Sequence, residues 1–130
     1  MNTKILMTTS AILLGVMGII FSFFPDDIIA YLNNDANLIS ILFLQILSSL
    51  YLGFAIMNWM AKGSIIGGIY NKPIAIGNMM HFGVGAIAML KVIFKIQAHT
   101  EIIISLTVIY SMLALSFAYV FMNNPSKLEK

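Results

Sequence analysis

Four long apolar stretches follow one another along the chain, separated by short polar connections. They cover about residues 4–24, 39–61, 73–97 and 102–122. Each is close to the 20 or so apolar residues that an α-helix needs to cross the hydrocarbon of a bilayer. The pattern therefore predicts an all-α integral membrane four-helix bundle, which forms a single transmembrane domain over residues 1–130.

A short segment between the first and second stretches has a different pattern. Pro25 ends the first stretch, and Asp26 or Asp27 can cap a helix that continues through residues 28–32 before residues 33–35 break it. Such a helix is too short to cross a membrane. We expect it to lie at the membrane interface with its apolar face inward.

Small residues lie along one side of the first stretch, at Ala11, Gly15 and Gly18. Side chains of this size let a second helix approach closely in a membrane. The first helix is therefore expected to pack tightly through this side.

Composition supports the membrane assignment, because 60% of the residues are hydrophobic and only 9% are charged. The mean hydropathy of +0.95 is far above that of a soluble domain. The chain has no cysteine, which excludes disulfides and thiolate metal sites. The formal net charge of +2 is small and scattered, which argues against a nucleic-acid partner.

The positions of the lysines predict the orientation of the helices. One side of the membrane would carry Lys4, Lys62, Lys72, Lys127 and Lys130. The other side would carry Lys91 and Lys95 together with every Asp and Glu101. The positive-inside rule then places both termini and the central turn of this multi-pass protein in the cytoplasm.

Polar side chains within the spans are the candidate ligand-binding residues: Asn58, Trp59, Asn78, His81, Ser116 and Tyr119. From the helical rise, His81 would lie about 12 Å inside the hydrocarbon boundary, Asn78 about 7 Å and Asn58 about 4 Å. Ser116 and Tyr119 fall near the last two levels. These residues could form a polar cluster in the inner leaflet.

Two of these residues have an alternative role. An ionisable group in a membrane, such as His81, is a functional candidate. A neutral His81 bonded to Asn78 or Ser116 would instead hold helices together. Trp59, near the membrane boundary, could stack on a ligand or anchor the helix in the aromatic belt.

A second polar set is expected on the outer side. Gln45 and Lys91 come to a similar depth, about 9 Å inside the boundary. Lys91 and Lys95 could reach toward Asp26, Asp27 or Glu101, or simply extend to the water at the interface.

Several chemistries find no support in the spans. His81 and His99 would be about 27 Å apart on a continuous helix, too far to hold one haem. No cluster of His, Asp and Glu suits zinc or a di-iron centre, and no carboxylate pair or serine nucleophile motif is present. We therefore expect no metal, no cofactor and no catalytic residues.

The layout resembles a known group of proteins. Pro25 at the end of the first helix, a small-residue second helix reaching Asn58 and Trp59, and a Gly/Lys turn are similar to small uncharacterised bacterial four-helix inner-membrane proteins, loosely DoxX-like. The resemblance implies four helices in the inner membrane and no particular activity. Small multidrug-resistance exporters have a similar length, but they depend on a glutamate in the first helix, and residues 4–24 contain no acid.

Three functional hypotheses follow. The leading one is a non-enzymatic accessory or assembly partner that holds a lipid or other apolar ligand beside Asn58, Asn78 and His81. Its partners would be membrane lipid, further copies of itself or another membrane protein. The alternative is an oligomeric small transporter or channel with pH-dependent flux through His81. The third is an enzyme acting on lipids, for which Lys91 and Lys95 would contact headgroups.

Overall fold

The structure, a computed structural model, describes residues 2–32, 37–95 and 100–123, and all regular elements in these ranges are helical. They are α1 (Thr3–Phe23), α2 (Pro25–Tyr31), α3 (Leu38–Ala61), a 3-10 turn (Ile69–Asn71), α4 (Lys72–Ile93) and α5 (Thr100–Met122). The four longer α-helices are long and apolar enough to cross a membrane. This confirms the predicted all-α class with a short helix between the first and second spans. The single domain stays a prediction.

The helix boundaries follow local sequence signals where such signals exist. α3 begins after Asn37, whose side-chain oxygen accepts a hydrogen bond from the Ser40 N–H (2.9 Å). The third span was predicted to reach residue 97, which is wrong for its described part, because α4 ends at Ile93. There the Lys95 N–H bonds to the Val92 carbonyl (2.9 Å), which tightens the chain into a turn. Residues 33–35, 96–97, 99 and 126–130, named in other predictions, lie outside the described residues.

The start of α2 corrects the predicted role of the aspartates. Phe24 occupies the N-cap position, without a side-chain cap hydrogen bond, and Pro25 begins the helix. Proline fits there because its missing N–H would have no partner within the helix. Asp26 and Asp27 lie in the first turn, where the helix dipole favours negative charge. Pro25 and Ile29 are buried, as expected for an inward apolar face.

The chain divides into two compact units, one formed by residues 7–61 and the other by residues 1–6 with 62–130. In the first unit α1 and α3 are in close contact. A Cβ added to Gly18 would lie 2.8 Å from Leu52 Cγ and 3.2 Å from the Leu52 backbone nitrogen. A Cβ on Gly15 would be 3.7 Å from Ala55 Cβ. The predicted close approach through small residues is confirmed for this helix pair.

In the second unit α4 and α5 pack side by side in opposite directions. Gly85 lies against Tyr110, and a Cβ at position 85 would be 2.8 Å from Tyr110 Cε1. Further along, Phe82 stacks on Phe117 with ring centroids 5.9 Å apart. At the end of the pair the Lys72 ammonium lies 5.7 Å from the centre of the Phe121 ring. Later residues of α5 thus contact earlier residues of α4, as expected for antiparallel helices.

Several polar side chains are buried and many large apolar side chains are exposed, unlike the usual distribution in a water-soluble protein. Among the described residues, the buried polar ones are Ser10, Ser48, Asn58, Asn78 and Thr107, within a core that is otherwise apolar. The long helices instead expose large apolar side chains, for example Phe43 at 67% and Leu115 at 72%. A soluble monomer rarely exposes a contiguous apolar surface of this size. The arrangement suits a multi-pass membrane protein, whose solvent is hydrocarbon.

Candidate functional site

Asn58 joins two helices through a buried hydrogen bond. Its side chain is fully buried in the unit of residues 7–61. The amide nitrogen donates to Ser10 Oγ of α1 (3.1 Å), and the Ser10 hydroxyl donates to the Met7 carbonyl (3.0 Å). The predicted site did not include Ser10. The sequence offered one signal for it, because Ser10 is a polar residue near the start of the first span, at about the level of Asn58 near the end of the antiparallel second span.

An apolar groove runs along the same pair of helices. Its volume is about 260 Å³, and its lining residues are Ala11, Ile12, Gly15, Leu52, Ala55, Ile56 and Trp59. Small residues of both helices form its floor, because Ala11 and Ala55 are buried. Ile12, Ile56 and Trp59 rise beside it and remain about half exposed, at 56%, 60% and 51%. Of the six predicted ligand-binding residues, Trp59 lines this groove.

Asn78 is fully buried in the unit that contains α4 and α5. Its side-chain nitrogen donates to the Ile74 carbonyl one turn earlier in the same helix (2.9 Å). A hydrogen bond of this kind satisfies a polar group in a membrane without a partner helix. Asn78 therefore has a structural partner within α4.

The His81 ring lies among aromatic side chains. It meets the Phe82 ring edge-on with centroids 5.1 Å apart, and the Tyr110 ring of α5 at 5.9 Å. Phe82 also contacts Tyr110 edge-on, at 5.1 Å. The contact between Tyr110 and His81 was not predicted from the sequence, although Tyr110 and Phe117, seven residues apart, fall on one helical face. These contacts favour packing of His81 between α4 and α5, and its role in transport stays a prediction.

Ser116 and Tyr119 differ in exposure, because Ser116 is half-buried and Tyr119 is 55% exposed. The Ser116 hydroxyl donates to the Met112 carbonyl of its own helix (2.8 Å). Both belong to the unit that holds Asn78 and His81, whereas Asn58 and Trp59 belong to the other unit. The predicted single cluster of all six residues stays a prediction.

The predicted outer-side residues are all exposed. Gln45 is on the exposed side of α3, and its backbone carbonyl accepts a hydrogen bond from the Ser48 hydroxyl (2.8 Å). Lys91 lies in the last turn of α4 and Lys95 in the turn that follows. Exposure at the end of a membrane-length helix suits side chains that extend to water.

In the part of the chain that the structure describes, no three His, Asp or Glu side chains come together in a way that could hold a metal ion. Comparisons with known protein families, with curated proteins and with solved structures find no match to this chain.

Proposed function

We propose that this protein is a non-enzymatic, multi-pass protein of the cell inner membrane that binds an acyl chain of a membrane lipid in the α1–α3 groove. It would act as an accessory or assembly partner of other membrane components, in line with the DoxX-like layout of its helices. The observation that carries the proposal is the wholly apolar lining of a groove on two membrane-length helices.

The shape of the groove supports an acyl chain as the occupant. In a bilayer, apolar side chains and lipid tails are equally apolar. The groove would therefore retain an acyl chain through van der Waals contacts and not through the hydrophobic effect. Small residues at Gly15 and Ala55 make a depression, and the bulky Ile12, Ile56 and Trp59 border it. A flexible chain can fill such a depression and gain contacts on several sides at once.

The proposed orientation has both termini in the cytoplasm. One cavity of the unit formed by residues 1–6 and 62–130 is lined by the start of α1, the segment after α3 and the end of α5. These are the segments that the lysine count assigns to one side of the membrane. Their grouping supports a topology in which the chain crosses four times, and the positive-inside rule names that side cytoplasmic.

Filling the groove tests the proposal. Gly15→Leu would place a bulky side chain in the depression, and Trp59, the single tryptophan of the chain, serves as the reporter. Purified protein in detergent is titrated with phosphatidylcholine that carries bromine on its acyl chains, which quenches tryptophan fluorescence on contact. We expect saturable quenching for the wild type and loss of the saturable component in Gly15→Leu.

Gly53→Leu is the matched control, because it makes the same change on α3 at an exposed position where an added Cβ meets nothing within 4 Å. It should keep the saturable quenching. Gly15→Ala, whose Cβ would make an ordinary 3.7 Å contact with Ala55, checks that folding survives a change at this site. Quenching that never saturates in the wild type, or equal quenching in the two leucine variants, would refute acyl-chain binding in the groove.

A further inference from the structure

A second cavity lies where α1 begins and α5 ends. Its volume is about 450 Å³, and its lining residues are Thr3, Lys4, Lys62, Gly63, Ser64, Ile65, Ile66, Val120 and Asn123. All belong to the unit formed by residues 1–6 and 62–130. The cavity shares no residue with the α1–α3 groove, so it is a separate candidate site.

The chemistry of this lining is suited to an anion. Lys4 and Lys62 contribute two positive charges, and none of the lining residues is acidic. Thr3 and Ser64 add hydroxyl groups that can donate hydrogen bonds. Beside these groups stand Ile66 and Val120, which are buried apolar side chains. The cavity thus combines a basic, hydroxyl-bearing part with an apolar wall.

Hydrogen bonds fix the segment that carries much of this lining. The Asn71 side-chain amide and the Gly68 N–H both donate to the Ile65 carbonyl, at 3.1 and 3.3 Å. The Asn71 N–H donates to the Gly68 carbonyl (3.0 Å). Gly67 adopts a φ of 96°, which L-residues rarely tolerate, so the turn depends on glycine there. The connection between α3 and α4 is therefore an ordered wall of the cavity.

We propose that this cavity binds a phosphate group, and that its physiological source is the headgroup of an anionic phospholipid. Lysine binds phosphate as a point charge and is attracted to anionic membrane surfaces. The neighbouring apolar wall would contact the first methylene groups of the acyl chains of a lipid, which inorganic phosphate lacks. The site goes beyond the proposed acyl-chain groove, because it selects lipids by their headgroup charge.

Charge removal with a matched control tests the site. The double variant Lys4→Gln/Lys62→Gln removes both cavity lysines, and Lys91→Gln/Lys95→Gln removes two exposed lysines from the other end of α4. Native mass spectrometry of the purified protein, with phosphatidylglycerol or phosphatidylcholine added, counts the retained lipids. We expect the wild type to prefer phosphatidylglycerol, and the cavity variant to bind it roughly 30-fold more weakly, which corresponds to about 1 kcal/mol for each lysine. The control should bind it as the wild type does.

Calorimetric titration with inorganic phosphate, in lipid-free detergent, separates the two sources of the anion. Lysine-dependent preference for phosphatidylglycerol without phosphate binding supports a lipid headgroup. Lysine-dependent binding of inorganic phosphate without a lipid preference supports the site with a soluble phosphate as its ligand. If Lys4→Gln/Lys62→Gln retains both ligands, or if the Lys91→Gln/Lys95→Gln control loses as much, the cavity is not a phosphate site.

Failure of this site would leave the acyl-chain groove untouched, since quenching by brominated phosphatidylcholine does not involve these lysines. Conversely, Gly15→Leu should keep the preference for phosphatidylglycerol. The two sets of variants therefore test the two proposals independently.

Discussion

Several polar side chains of the described spans bond to the backbone of their own helix. The hydroxyls of Ser48, Thr107 and Ser116 donate to carbonyls three or four residues earlier, and the amide of Asn78 does the same. Such bonds satisfy polar atoms in hydrocarbon without specifying a neighbour. Asn58 differs, because its hydrogen bond to Ser10 reaches another helix. It therefore contributes to the choice of packing partner.

This difference predicts a measurable coupling between Ser10 and Asn58. In a double-mutant cycle with Ser10→Ala and Asn58→Ala, the free energies of unfolding in bicelles should show a coupling of about 0.5–1.5 kcal/mol, typical of side-chain hydrogen bonds between membrane helices. Ser49→Ala is the control, because the exposed Ser49 bonds only within its helix, to the Ile46 carbonyl. Additive effects of the two alanine substitutions would contradict an energetic role for the hydrogen bond.

Sequence alone identified several candidate residues but not their surroundings. Asn58, Asn78 and His81 stand out because polar side chains are rare in apolar spans. Their neighbours could not be predicted, since helices that are apolar on all sides give no strong signal for the face that points inward. The pairing of Asn58 with Ser10 and of His81 with Tyr110 depends on helix rotation. Only the three-dimensional packing sets that rotation.

At the scale of elements, close contact between helices depends on glycine. The ring of Tyr110 is buried and occupies the space over Gly85, so a Cβ at position 85 would collide with this ring. Gly18 has the same relation to Leu52, whose side chain and backbone nitrogen are the nearest atoms. Neither contact therefore leaves room for a Cβ unless the neighbouring residue shifts.

Adding one methyl group at Gly85 should separate these helices. Gly85→Ala is expected to lower the free energy of unfolding by about 1–3 kcal/mol, the usual cost of overpacking. Gly53→Ala is the matched control, because its new Cβ would meet nothing within 4 Å and alanine favours helix by about 0.5–1 kcal/mol. Thermal unfolding in detergent should show a loss for the first variant and no loss for the second. A Gly85→Ala protein as stable as Gly53→Ala would show that the helices are not in tight contact there.

The helices themselves were predictable to within one or two residues wherever the chain supplies a signal. Pro25 ends α1 and starts α2, and Pro73 lies in the first turn of α4. The error at the end of α4 has a simple cause. Phe94 and Ile96 continue the apolar pattern without a glycine or proline, so nothing in the sequence marks the turn at Phe94 and Lys95.

At the scale of the whole chain, the outward-facing apolar side chains require a non-aqueous medium. Exposed residues such as Phe43 and Leu115 lie along helices of membrane length, while Asn58 and Asn78 are fully buried among apolar side chains. This distribution is the strongest structural support for a multi-pass membrane protein. The number of crossings then determines which segments share a side of the membrane.

The topology can be measured with single cysteines, because the chain has none of its own. Gly63→Cys adds a thiol in open space at the proposed cytoplasmic end, and Lys95→Cys adds one at the other end of α4. A membrane-impermeant maleimide should label Lys95→Cys in right-side-out vesicles and Gly63→Cys in inside-out vesicles. The cysteine-free parent should take no label. Labelling of both variants from one side would contradict a membrane crossing by α4.

Because Gly85 and Tyr110 are in contact, substitutions at these two positions are expected to be coupled in evolution. A larger residue at 85 leaves no room for the ring at 110, whereas a smaller residue at 110 removes the need for glycine at 85. The residue at each position therefore limits the size of the residue that the other position can accept. Replacements at the two sites are thus expected to arise as reciprocal pairs, in which volume lost on one helix is gained on the other.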